Sequence, residues 1–361
     1  MSAESGSAPL RAQSDPAEIV DLFAGPRGWT VGLGMHGLSD VGLELDHTAC
    51  QTACAAGHPV IRCDVTQYPT HPFRRRKSKV IASPVCTPFS AAGNQHGVSD
   101  LPLIHQAVHD LAHGRDTRAA IRDACRDDKS VLAAEPMRWL HDLRPVWACL
   151  EQVPAVMPLW KQYAGVLRGW GYSVWTGVLN AADYGVPQAR RRAILIASRV
   201  RTVTAPEPTH TERPTDALFG PTLRPWVTMA EALGWGYTRQ PAPTVTGGGT
   251  ASGGAEPFGN ASRRAMRAAM DNPGHWAWRK PSPTISGTVG HVGGKQAGGH
   301  LNLEPEEGAV LQTFPRDYPF QGNKGQRSLQ IGNAVPPLLA AHIVAAAAGL
   351  TAPAPLALAT G

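Results

Sequence analysis

Paired cysteines, metal-ligand spacings and long apolar runs are all missing from this 361-residue sequence. Its six cysteines (Cys50, Cys54, Cys63, Cys86, Cys125 and Cys149) include no CxxC pair and no partnered histidine spacing, so neither a disulfide framework nor a metal site is expected. The opening residues, MSAESGSAPLRAQSDPAE, lack a basic start followed by an apolar core; no signal peptide is expected and the expected location is cytoplasmic. LLAAHIVAAAAGL near the end is short, rich in alanine and broken by His342, so it reads as a packed helix and no membrane partner is expected. Lysine is scarce, with seven residues against 27 arginines. Lys plus Arg nevertheless total 34 against 28 Asp plus Glu, a net charge of +6 that suits a polyanion. Guanidinium forks match phosphate oxygens and base edges better than ammonium does, which tilts the expectation toward nucleic acid.

From residue 18, strand and helix signals alternate. EIVDLF, VGLELD, PVIRCDV and KVIASPV read as strands, with GWTVGLGMHG and TACQTACAAG as intervening helices. MRWLHDLRP as helix, VWACLEQV as strand, PLWKQYAGVLRGWG as helix, then YSVWTGVLNAADYG and RRAILIASR as strands sustain the pattern to about residue 200. This predicts an α/β fold, a doubly wound, mostly parallel sheet with crossover helices. APEPTHTERPTDALFGPTLRP then changes the texture and predicts a boundary. Beyond it, RQPAPTVTGGG from Arg239 and RKPSPTISGTVG from Arg279 form an imperfect repeat, which predicts a second, smaller β-rich domain with glycine loops. Helical signals return in EPEEGAVLQTFP and IGNAVPPLLAAHIVAAAAG. The expected organisation is a disordered stretch over 1–16, a catalytic and cofactor-binding domain over 17–205, the β-rich domain over 206–299, a return to the catalytic domain over 300–350 and a flexible tail over 351–361.

IVDLFAGPRGWTVG places a glycine turn directly after a predicted strand, and Glu44 and Asp64 stand at the ends of the next two strands. Carboxylates there can accept from ribose hydroxyls and face an adenine edge, which suggests an adenosine-bearing cofactor. GLGMHG from Gly32 spells G-x-G-x-x-G, but its glycines fall within and after the predicted helix, so it is a decoy. The real turn, Gly25 to Gly28, has two glycines, too few for a pyrophosphate but enough for a cofactor without phosphate such as S-adenosylmethionine. A turn with no ligand is the alternative. Cys86 follows the strand KVIAS at the carboxyl end of the sheet, where open α/β folds bind ligands. A buried structural cysteine is the ordinary fate; here Pro84 and Pro88 bracket the residue, and Gly93 and Gly97 make the following loop a candidate lid. Positive surroundings would lower such a thiol's pKa and make it nucleophilic. Glu151 ends an apolar strand, and alternation sends Arg190 and Arg192 to one face with Arg191 turned away. Together these read as a nucleophile, an acid and a two-arginine anion clamp.

In this order, DLFAGPRG, GLELD, CD, SPVCTPFSAAGNQHG, EQV, YGVPQARRR and QIGNAVPP make the chain resemble the C5-cytosine DNA methyltransferase family over nearly its whole length. The resemblance implies the Rossmann-like fold of S-adenosylmethionine-dependent methyltransferases. It also implies double-stranded DNA as partner and methyl transfer to C5 of a flipped-out cytosine. By the same resemblance Cys86 attacks C6, Glu151 holds N3, Arg192 contacts the base and Arg190 the adjoining phosphate or the base. Phe23, Ala24, Gly25, Pro26 and Gly28, with Leu45 and Val65, would line the cofactor; Glu44 would take the ribose and Asp64 the adenine amino group. Asn333, Ala334 and Val335 would return to close that pocket. The β-rich segment falls where the family carries its target-recognition domain. Target sequence, oligomeric state and whether a companion restriction endonuclease accompanies the chain stay open. The chain departs from the family pattern at Val85 and Thr87 beside the cysteine, at Gln152 in place of asparagine, at Arg27 in place of a glycine, and near Leu301, where an expected arginine is missing. Alternatives are an RNA methyltransferase acting on transfer RNA, transfer of a modified methyl group, and a catalytically silent DNA-binding protein.

Overall fold

Strands rich in Val, Ile, Leu and Ala with little polar alternation are strands buried on both faces, and the sheet they form is covered on both sides. The structure, a computed structural model, describes residues 18–75, 77–90, 95–214, 222–234, 281–283, 291–292 and 301–354. Its central sheet contains β1 (Ile19–Leu22), β2 (Val41–Glu44), β3 (Val60–Arg62), β4 (Lys79–Ala82), β5 (Trp147–Gln152), β6 (Ser173–Asn180) and β7 (Arg191–Ser198). Spatially they run β3-β2-β1-β4-β5-β7-β6. β3 to β5 are parallel, and β7 lies antiparallel between β5 and β6. The doubly wound, mostly parallel expectation therefore holds, with one reversed strand inserted.

Alternation along the strands divides the core into two layers. Val80, Ala82, Leu150 and Leu195 face one side, where helices His96–Ala112, Glu135–Leu143 and Met157–Gly169 pack with Ile104, Leu140 and Trp160 fully buried. Ile81, Cys149, Ile194 and Ile196 face the other, against Trp29 and Leu33 of helix Gly28–Gly34 and against helix Pro337–Ala348. The alanine-rich run thus packs inside the fold. Gly32, one of the decoy glycines, serves this packing: a Cβ there would collide with the Pro337 carbonyl and with Ala340.

Arg27, the departure in the turn after β1, is buried with φ 74, a left-handed conformation that costs a side-chain-bearing residue roughly 1–2 kcal/mol. It is held by ion pairs to Asp21 (3.4 Å) and Asp40 (2.9 Å), and Asp40 also accepts from the Thr30 hydroxyl at 3.1 Å. The absence of a side chain at Gly42 leaves room for the guanidinium. Burial lifts the Asp21 carboxyl well above the ordinary range, with Arg27 opposing the rise.

Within the expected β-rich region, the described residues form short ladders: His210–Thr211 with Arg224–Pro225, Ser282–Pro283 with Gln188–Ala189, and His291–Val292 with Leu301–Asn302. The repeat at Arg239, most of that at Arg279, segment 1–16 and most of the tail lie outside the described residues. Gly93, one half of the expected lid, lies there too. Gly97, the other half, is no hinge: it sits buried in the first turn of helix His96–Ala112, where a Cβ would press on Phe89 and Pro88. Replacing Arg27 with methionine leaves two buried carboxyl groups without their cation, and is expected to cost about 3 kcal/mol of stability, read as a lowered urea midpoint. An unchanged midpoint would show that the triad does not brace the turn.

Candidate active site

The carboxyl ends of β1, β2, β4 and β5 and the amino end of β7 open onto one cavity of about 670 Å³. Its first half is built by the turn after β1, which bends through three left-handed residues, Phe23 (φ 59), Gly25 (φ 53) and Arg27 (φ 74). Glu44 locks that turn to β2. One of its carboxylate oxygens accepts from the Gly25 amide at 2.7 Å and the other from the Leu45 and Asp46 amides at 2.8 and 2.7 Å. Asp64 caps the next loop, one oxygen accepting from the Thr66 amide (2.9 Å) and hydroxyl (2.7 Å). Phe23, Ala24, Gly25, Pro26, Gly28, Leu45 and Val65 all line the cavity.

The far end of the chain completes this half. Asn333, Ala334 and Val335 lie against the turn so closely that a Cβ on Gly28 would strike the Val335 carbonyl. Tyr318 donates its hydroxyl proton to the Pro26 carbonyl at 2.7 Å. Sequence reasoning missed Leu329, which is 51% exposed in helix Lys324–Asn333 while its polar neighbours Ser328 and Gln330 are buried. Leu45 is 62% exposed, and both leucines line the cavity. That inverted burial was a signal only the folded helix could give.

The second half holds the chemistry-bearing groups. Cys86 sits one turn beyond β4, its carbonyl accepting from the Phe89 and Ser90 amides at 2.9 and 3.0 Å, with buried Phe89 anchoring the loop. Trp29 donates to the Ser83 hydroxyl at 2.9 Å, and Gln152 donates its amide to the Pro84 carbonyl at 2.7 Å. The departure at Gln152 thereby ties the cysteine loop to β5. Glu151 is 6% exposed and pairs with Arg192 Nε at 2.9 Å. Cys86, Glu151, Arg190 and Arg192 line the same cavity as the first half.

Two expectations are corrected by this geometry. The Cys86 thiol is raised in pKa, chiefly by burial and then by the Glu151 carboxylate, with Arg192 and Arg190 opposing; positive surroundings do not win in this state. Arg190 is not half of a clamp with its terminal nitrogens turned to an anion. It is fully buried and donates from Nη1 to the Gly332 carbonyl and from Nη2 to the Ala334 carbonyl, each at 3.0 Å, gripping the return segment on both sides of Asn333. Desolvation pushes its pKa down to about 9, still cationic at neutral pH. Arg191 is exposed, as alternation required. Among the described residues, no group of three or more His, Cys, Asp or Glu is placed to hold a metal ion.

A sheet of this order, with a thiol, a paired acid and acidic strand ends around one cavity, is a methyltransferase arrangement. The profile of C-5 cytosine-specific DNA methylases matches residues 17–102 and 118–348, and the chain belongs to that family as a DNA cytosine-5 methyltransferase. The Type II methyltransferase M1.HphI of Haemophilus parahaemolyticus is 29% identical over 355 residues, covering 91% of this chain and 85% of that one. The Type II methyltransferase M.NaeI of Lentzea aerocolonigenes is 29% identical over 342 residues, covering 90% and 73%. Among solved structures, the Dnmt2 methyltransferase of S. pombe superposes with a TM-score of 0.55 at 12% identity, covering 92% of this chain and 98% of that one, which shows the shared fold.

A thiol held above its usual value gains thiolate as pH rises. Alkylation of Cys86 by iodoacetamide in the free protein is therefore expected to accelerate steadily from pH 7 to beyond about 8.5, the ordinary thiol value. A rate already at its plateau at pH 7, followed by mass spectrometry of the Cys86 peptide, would contradict the assigned environment.

Proposed function

We propose that the chain methylates C5 of a cytosine extruded from double-stranded DNA, with S-adenosylmethionine as donor and a covalent bond between Cys86 and the base. The observation that carries this reading is the shared cavity: Cys86 and the Glu151–Arg192 pair line the same space as Glu44 and Asp64.

The first half fits an adenosine-bearing donor without phosphate. Glu44 and Asp64 are acceptors matched to ribose hydroxyls and an adenine amino group, and Leu45, Leu329, Phe23 and Val65 give apolar faces for a flat ring. Between Gly25 and Gly28 stand a proline and the buried Arg27, so the turn offers no run of open amides for a pyrophosphate. Asn333 and Val335 would close the pocket, held by Arg190. When bound, S-adenosylmethionine would supply an electrophilic methyl carbon.

Cytosine C5 is a poor nucleophile until C6 is attacked. The Cys86 sulfur forms a bond to C6, and the electron pair of the 5,6 double bond moves toward C5 and N3. Glu151 holds N3 and Arg192 holds Glu151 and the base, so the ring is presented edge-on to an acid that can exchange a proton with it. This coupling also addresses the raised thiol. The proton that the Cys86 thiol gives up is matched by the one that N3 gains through Glu151, so the carboxylate ends the step as it began, while Arg190 and Arg192 favour the thiolate in between. After C5 has gained the methyl group, a base takes the C5 proton, its bonding pair re-forms the 5,6 double bond, and Cys86 leaves as thiolate and recovers its proton from N3 through Glu151. The surroundings expected of such an enzyme, by analogy with the Type II relatives, include a companion restriction endonuclease.

Cys86→Ser is expected to bind duplex DNA and lose methylation, read by base-resolution sequencing of DNA from a host expressing each protein; equal methylation by both would overturn the mechanism. The same sequencing identifies the methylated site. Glu151→Gln is expected to lower turnover by about 10²–10⁴-fold with cofactor affinity nearly unchanged. Loss of cofactor binding instead would place Glu151 in the wrong half of the cavity.

A further inference from the structure

The sheet has a second end. Parallel strands put Cys86, Glu151 and Arg192 at one edge, and at the opposite edge lie the segments that lead into β4, β5 and β6 and out of β7. Among the described residues, segments 74–79, 142–146, 168–172 and 199–201 hold eight Lys or Arg residues, six of them arginine, against Asp142 and, at the start of β1, Glu18, which pairs with Lys79 at 2.5 Å.

The segments are bound to one another as a continuous ledge. Val146 donates its amide to the Ser78 carbonyl at 2.7 Å and Arg199 donates its amide to the Val146 carbonyl at 3.0 Å, so the β4, β5 and β7 ends are laced in sequence. Arg168 reaches the Val174 carbonyl at 2.9 Å beside the start of β6. Part of the positive charge has a local purpose: Arg144 and Arg168 stand at the carboxyl ends of helices Glu135–Leu143 and Met157–Gly169, and Arg201 covers Gly349 after helix Pro337–Ala348. Three helix ends contribute only about half a negative charge each. Asp142 is engaged by His141 at 3.0 Å and by the Thr70 hydroxyl. Arg74, Arg75, Lys77 and Arg199 are exposed and form no ion pair within 4 Å among the described residues; Arg74 ends the short helix His71–Phe73, and Lys77 lies close enough to Glu18 to favour its carboxylate. Two carboxylates, Glu18 and Asp142, do not balance the eight cations, so this end carries an excess of positive charge that suits a polyanion.

We propose that this edge is a second DNA-binding face, holding the phosphates of a duplex segment other than the one being methylated. The inference rests on duplex DNA being the substrate. Four adjacent strand ends at about 4.8 Å spacing make a ledge of roughly 14 Å, the length over which one DNA strand presents about four phosphates. The eight residues of β6 and β7 separate the two ends by roughly 26 Å, so a short duplex seated over Cys86 does not reach the ledge. Arginine in place of lysine suits phosphate oxygens, which accept a planar fork in two places.

The test is the combined variant Arg74→Ser, Arg75→Ser, Lys77→Ser and Arg199→Ser, compared with the wild-type full chain. On a 14-bp duplex carrying the site mapped by sequencing, turnover is expected to stay within about twofold. On a 300-bp duplex at 50 mM salt, affinity is expected to fall on the order of tenfold, and the slope of log K against log salt to shrink by about 0.9 for each phosphate that the variant no longer neutralises. Unchanged long-duplex affinity and slope would overturn the proposal, as would equal losses on both duplexes. So would capture of phosphatidylserine vesicles by the wild type alone with long-duplex affinity intact, which would make the ledge a lipid-binding face. If the wild type methylated neither duplex while the variant still lost long-duplex affinity, the methylation reading would fail and this one would stand.

Discussion

The closure of residues 333–335 onto the turn at 25–28 is the constraint on which the rest of the site depends. It joins parts of the chain about three hundred residues apart, and it works because Gly28 leaves space for the Val335 backbone. Arg190 secures the same segment from the opposite side through two backbone carbonyls. A buried arginine that gives both terminal nitrogens to peptide oxygens acts as a brace, and removing it would leave those acceptors unpaired in a dry interior. The cofactor half and the base half are therefore joined by one side chain that lines both.

Charge is distributed with similar economy. Glu151 and Arg192 pair at 2.9 Å beside a thiol whose pKa is raised first by burial and then by the Glu151 charge, with Arg192 and Arg190 opposing the rise. Beneath the cofactor turn, Arg27 with Asp21 and Asp40 replaces the conformational freedom of a glycine by a held, left-handed arginine. The turn keeps its shape by electrostatics where glycine would keep it by default.

The parallel sheet gives the molecule two chemically distinct ends. Acids, thiol and Glu–Arg pair collect where strands finish. Arginines collect where most of them start, partly because helix carboxyl ends gather there and partly in excess of that need. Eight of the chain's 34 Lys and Arg residues thus lie at the end of the sheet away from its reaction centre.

Much of this was legible in the linear chain. Apolar runs of strand length, the turn after β1, the acids ending β2 and β3 and the cysteine after β4 are local features, governed by periodicity and by the direction of parallel strands, and they predicted the sheet and its functional edge. The decoy glycines were also readable, since their place inside a helix follows from local pattern. What the sequence could not state depends on contacts between distant segments: that β7 runs backward between β5 and β6, that Arg190 holds carbonyls of the return segment, that Gly97 packs on Phe89, that Leu329 faces the cavity, and that burial outweighs two arginines at Cys86. Residue type and spacing determined which chemistry the chain carries. Only tertiary packing, by deciding which groups lose water and which partners they meet, decided the job each of those groups performs.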